Sequence, residues 1–196
     1  VSEAGRLFSE FESHAVYDVF GRYFVILYQN DSSVKIKLLE ESLYDTLNQS
    51  EEVSTWTAYS SSKLTEDASE FFSVFCESLP TARKIFPKKK NFSYSDIYFA
   101  NRAGAAILSL DSQNHYYNEL LMPIIKCSEK ELMPTLITYL LDCNSEIKAT
   151  ADTLYVHRNT VLYRLNKIRA LLGCDLSQMP MAYDIYLAAA IYRIQK

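Results

Sequence analysis

Apolar positions change period several times along the chain, and each change marks an expected element. Leu7, Phe8 and Phe11 fall at helical spacing and predict a short helix over 3–12. His14–Phe20 and Tyr23–Tyr28 are rich in β-branched and aromatic residues and predict two strands, with Gly21-Arg22 as a two-residue hairpin turn. Leu38, Leu39, Leu43 and Leu47 place one apolar face on a helix over 34–48, and 53–59 alternates like a strand. A long helix is expected over 65–86, bent near Pro80, with Phe71, Phe72, Phe75 and Leu79 inward. A basic loop, Pro87 to Lys90, precedes a short strand at 92–94, and the charge run reads as a solvated turn. Helical patterns follow over 97–110, from 115 to 123, over 129–143 and, at the end, over 183–194.

The stretch 144–173 stands apart. Ile147, Ala151 and Leu154 form one stripe of a short helix, with Ser145 as its expected N-cap and Lys148 in its first turn. Tyr155-Val156-His157 breaks the stripe over the length of a helix-turn-helix connection. A second helix, Arg158–Leu172, sets Val161, Leu165, Ile168 and Leu172 toward a core, and Gly173 supplies the stop. Asn159, Thr160, Tyr163, Asn166 and Lys167 point away from that stripe, and Arg158 and Arg164 lie on its shoulders. From Tyr155 to Gly173 there are four cations and no carboxylate. Such a face suits a major groove, because Arg forks onto guanine, Asn onto adenine, and hydroxyls reach phosphate or base edges. An ordinary amphipathic helix with a solvated basic face is the competing reading, and composition alone does not separate the two.

The order strand–strand–helix–strand–helix–strand followed by helices predicts an α+β fold. It comprises an N-terminal α/β sandwich on a mostly antiparallel sheet, then an all-α helix-turn-helix domain. The expected divisions are 1–110, a helical connector 111–130, and 131–196. Charge follows the same division. The whole chain of 196 residues carries −4, yet residues 131–196 hold seven Lys and Arg against six Asp and Glu, and residues 1–130 thirteen against eighteen. The acidity belongs to the first part. Charges beyond about 8 Å are screened at physiological salt, so local sign governs phosphate contact.

Four scattered cysteines without a CxxC spacing argue against zinc and against a disulfide framework, and favour a reducing cytosol. His14, His115 and His157 have no ligand-like spacing, and His157 sits where it can cap the second helix or touch a phosphate. No stretch approaches the ~20 apolar residues that span a bilayer, no signal-peptide pattern opens the chain, and no phosphate loop or hydrolase motif occurs. No cofactor, metal, catalytic residue or membrane partner is expected.

The run from Ala149 to Leu176 resembles the C-terminal helix-turn-helix of the PucR/CdaR family of bacterial transcription regulators. The resemblance is carried by Ala149-Thr150-Ala151, Leu154, Val156 to Thr160, Tyr163-Arg164-Leu165, Ile168, Leu171 to Gly173 and Asp175-Leu176. More distantly, it is similar to Fis-type nucleoid proteins. Leu162 and Asn166 depart from the family by standing where it often carries further basic residues.

The resemblance implies a regulator that binds double-stranded DNA, and because one helix reads only a few base pairs a homodimer on paired half-sites is expected. The candidate contacts are Lys148, His157, Arg158, Asn159, Thr160, Tyr163, Arg164 and Lys167. It also implies a small-molecule effector acting through a region absent from this chain. The first half resembles, by element order, the GGDEF-like domain of CdaR-type regulators. Phe20-Gly21-Arg22-Tyr23-Phe24 stands where diguanylate cyclases carry Gly-Gly-Asp-Glu-Phe. Arg22 and Tyr23 replace both acids, and magnesium with nucleotide phosphates needs carboxylate oxygens, so the domain is expected to be catalytically inactive. Two alternatives remain open: a protein-interaction or signal-relay module without DNA binding, and a residual cyclase-like nucleotide enzyme.

Overall fold

The computed structural model describes residues 15–21, 23–28, 57–59, 65–108 and 112–196. The helices expected over 3–12 and 34–48, residues 53–56 of the third strand, His14 and Arg22 lie outside them. The chain divides into two compact units, Val1–Tyr59 with Lys90–Phe92, and Ser60–Lys89 with Ser93–Lys196. The first division expected from sequence, at 110/111, therefore falls inside the second unit.

In the first unit, β1 (Ala15–Phe20) and β2 (Tyr23–Tyr28) form the expected antiparallel hairpin, with Phe20 opposite Tyr23 and Ala15 opposite Tyr28. Gly21 sits at φ +61, the left-handed region that tight hairpin turns need and a Cβ disfavours. A second pair joins β3 (Thr57–Tyr59) to β4 (Asn91–Ser93), where the Thr57 N–H donates to the Lys90 carbonyl at 3.0 Å. Among the described residues the strands thus form two separate two-stranded sheets, not one continuous sheet.

The second unit is helical. α1 (Thr65–Ile85) packs along α2 (Tyr94–Leu108), and α1 carries Pro80 on its exposed side. Ser93 and Asp96 close the start of α2 reciprocally. The Asp96 carboxylate accepts from the Ser93 N–H at 2.8 Å, and the Ser93 hydroxyl accepts from the Asp96 N–H at 3.3 Å. Lys89 of the basic turn pairs with the same carboxylate at 2.6 Å, an intramolecular role for that charge run. The helical piece expected from 115 begins earlier, as α3 (Ser112–Ile125).

The segment expected as one helix over 129–143 is shorter and changes pitch. α4 (Leu132–Ile137) runs into a single π-helical turn, Thr138–Asp142, in which the Cys143 N–H reaches back five residues to the Thr138 carbonyl. Then come α5 (Ile147–Leu154), α6 (Arg158–Leu172) and α7 (Met181–Gln195). α7 is the central strut. Ile185 and Leu187 to Ile191 are buried along it, and it touches α1, α2, α3, α4 and the π turn.

Arg193 near the end of α7 fixes this arrangement. Its guanidinium forks onto both oxygens of Asp142, at 2.8 and 2.7 Å, and also donates to the Ile85 carbonyl at 2.6 Å. One side chain thereby satisfies the last turn of α1 and the end of the π turn together.

Candidate nucleic-acid interface

α6 is seated by its apolar stripe. Val161, Leu165 and Ile168 are fully buried, each worth roughly 1.5–3 kcal/mol relative to exposure, and they face α3, α4 and α5. Leu172 is half-buried. The bounds Arg158–Leu172 coincide with those expected from sequence, and Gly173 ends the helix at φ +68 with its N–H on the Arg169 carbonyl.

The start of α6 is capped by His157. Its Nδ1 accepts from the Asn159 N–H at 3.2 Å, which requires that nitrogen to be unprotonated and leaves Nε2 on the exposed side. The preceding helix begins differently from expectation. Ser145 is not its N-cap, because its backbone lies in the left-handed region at φ 62 and its N–H turns back to the Tyr139 carbonyl. Glu146 takes the N-cap position with extended backbone, and its carbonyl accepts both the N–H and the hydroxyl of Thr150. α5 then closes on Tyr155, also left-handed at φ 55, with its side chain 96% exposed.

With α6 fixed this way, its outermost ridge at one-turn intervals is Asn159, Tyr163, Asn166 and Ala170, all exposed, with Tyr163 at 59%. His157 and Arg158 stand exposed at its N-terminal end, Thr160 is half-buried on its flank, and Lys148 is exposed on α5. Arg164, expected on the shoulder of the stripe, and Lys167, expected to point away from it, both meet partners from within the domain. Arg164 donates to the buried Thr135 hydroxyl at 3.3 Å, and that hydroxyl donates in turn to the Glu131 carbonyl. The Lys167 ammonium pairs with the Glu129 carboxylate, which raises its pKa. Arg169 hydrogen-bonds Asn166 at 2.8 Å and lies 3.8 Å from Asp175. The backbone N–H of Ser177, then its hydroxyl, lower the pKa of Asp175. Among the described residues, Arg158 is the cation of α6 that makes no hydrogen bond or ion pair.

By periodicity Asn166 points outward, while in the family resemblance it departs from the basic pattern, and neither it nor Tyr155 is among the expected contacts. Exposure at the ridge and a left-handed backbone at the turn bring both forward. Among the described residues no His, Cys, Asp and Glu group gathers as a metal site, all four cysteines are free, and no helix is long and apolar enough to cross a membrane.

Residues 132–191 match the family described as the PucR C-terminal helix-turn-helix domain. A purine catabolism regulatory protein of Bacillus subtilis (strain 168) is 34% identical over 90 residues, 45% of this chain and 17% of that protein. The proline-responsive transcriptional activator PutR of the same organism is 31% identical over 85 residues, 40% of this chain and 20% of that protein. The matched stretch therefore spans about a fifth or less of these relatives. A crystal structure of a regulator of polyketide synthase expression from Bifidobacterium adolescentis aligns over 98% of this chain and 78% of that one. Its identity is 19% and its TM-score 0.37, an overlap too loose to identify a shared fold. The C-terminal part is thus similar in sequence to a PucR-type helix-turn-helix domain, and within it α5 and α6 pack against each other as a helix pair.

Proposed function

We propose that this chain is a DNA-binding transcription regulator, not an enzyme, in which α6 reads the major groove. The observation that carries the reading is the outward ridge Asn159, Tyr163 and Asn166, free of carboxylates and mounted on a buried apolar stripe inside a PucR-type domain. Asn159 offers an amide edge to bases, Asn166 offers its amide N–H groups while its Oδ1 accepts from Arg169, and Arg158 offers a guanidinium to guanine or phosphate. His157 Nε2, Thr160, Tyr155 and Lys148 suit backbone phosphates. Arg164 and Lys167 serve second, since each must leave or share an internal partner. The relatives named as a purine catabolism regulatory protein and a proline-responsive transcriptional activator support the class of function.

One helix reads only a few base pairs, so the working species is a homodimer on two half-sites about 34 Å apart. The first half is read as a degenerate GGDEF-like module for dimerisation or relay, a reading supported by the antiparallel hairpin that turns at Gly21. Selection of the full chain against a randomised duplex pool tests the proposal. It predicts enrichment of an inverted repeat, and a pool that returns unenriched at every salt concentration contradicts it.

A further inference from the structure

Three of the four cations on α6 meet partners from within the domain, and two of them, Lys167 and Arg169, meet carboxylates, those of Glu129 and Asp175. Glu129 lies in the turn between α3 and α4, and its carboxylate holds the Lys167 ammonium. Lys167 stands one helical turn from Tyr163, on the flank of the ridge. Both members are about one-third exposed, 36% for Glu129 and 34% for Lys167. A pair this exposed contributes little to stability, so holding the fold together does not account for it.

Its effect on the electrostatics of the face is larger. A phosphate reaching Lys167 meets the Glu129 carboxylate in the same contact, well inside a Debye length of about 8 Å. The lysine then offers no net positive charge unless it leaves Glu129.

We infer that Glu129 masks Lys167 and so holds down sequence-independent phosphate binding by the helix-turn-helix. Binding that depends on the α6 ridge is spared. Affinity therefore shifts from backbone charge toward base contact, and Glu129 acts as a specificity-determining residue that itself touches no DNA. The inference rests on the DNA-binding reading above.

The test uses the full chain and a labelled duplex of arbitrary sequence, about 20 base pairs long, followed by fluorescence anisotropy from 50 to 200 mM salt (roughly the range over which phosphate contacts are resolved). Four proteins are compared: parent, Glu129→Gln, Lys167→Met and the double variant. Glu129→Gln is expected to bind more tightly at the lowest salt. Its log–log salt slope steepens by about 0.9, one phosphate's worth, which is roughly a threefold extra loss of affinity across that range. Its thermal midpoint stays near the parent's. The gain vanishes when Lys167 is already Met.

A parent and Glu129→Gln of equal affinity and slope overturn the inference while leaving DNA binding intact. A gain that persists in the Lys167→Met background also overturns it, because Glu129 would then act through its own charge alone. No binding by parent or Glu129→Gln at the lowest salt overturns the DNA-binding reading, and the inference with it.

Discussion

At the scale of single residues, the helix-turn-helix holds backbone strain where sequence gave no warning. Asn144, Ser145 and Tyr155 all have positive φ, so left-handed residues bracket α5 at both ends. For a residue with a Cβ this conformation costs about 1–2 kcal/mol, which explains why glycine is favoured there. Tyr155 recovers nothing from packing, being 96% exposed. Tyr155→Gly is therefore expected to stabilise the protein by roughly 0.5–1 kcal/mol, the strain relieved less the extra freedom of glycine in the unfolded chain. Urea denaturation monitored by circular dichroism measures it, and a loss of stability would show that the tyrosine ring makes contacts that its exposure denies. The side-chain partners of Arg164 and Lys167 were equally hidden. Helical phase sets the direction of a residue on its own helix, but Thr135 and Glu129 arrive from a segment about thirty to forty residues earlier.

Among elements, what could be read depended on how local the determinant was. The extent of α6 was legible because a buried 4-3-4 stripe and a terminating glycine both lie within it. The β1–β2 hairpin was legible from a glycine between two β-rich runs. The pitch change after Ile137 was not. A π turn adds one residue to a single helical turn, and periodicity over so few residues does not distinguish it from an α-helix. The N-cap of α5 was misplaced by one residue because Ser145 has the better side chain, whereas Glu146 has the extended backbone and the carbonyl that receives Thr150. Cap propensity describes the side chain, and here tertiary geometry chose the backbone.

For the molecule as a whole, the second unit depends on long-range ties that no local pattern contains. Arg193, Asp142 and the Ile85 carbonyl come from three distant parts of the chain. Arg193 and Asp142 are 17% and 13% exposed. Truncating one partner leaves a nearly buried carboxylate unpaired, so Arg193→Met is expected to cost about 3–5 kcal/mol in chemical denaturation. A loss below about 1 kcal/mol would mean that the pair is solvated like an ordinary surface bridge. This tie also accounts for the compact unit beginning at Ser60 and not near residue 110, since α1 and α2 share the α7 strut with the helix-turn-helix. The central claim remains that the exposed α6 ridge reads base sequence. Its most direct test is fluorescence anisotropy of the parent and Asn159→Ala on a selected duplex and on its scrambled counterpart. The account predicts that the parent prefers the selected duplex, and that Asn159→Ala loses about 1–3 kcal/mol of that preference with an unchanged salt slope. Equal preference in the two proteins, or no preference in the parent, would contradict it.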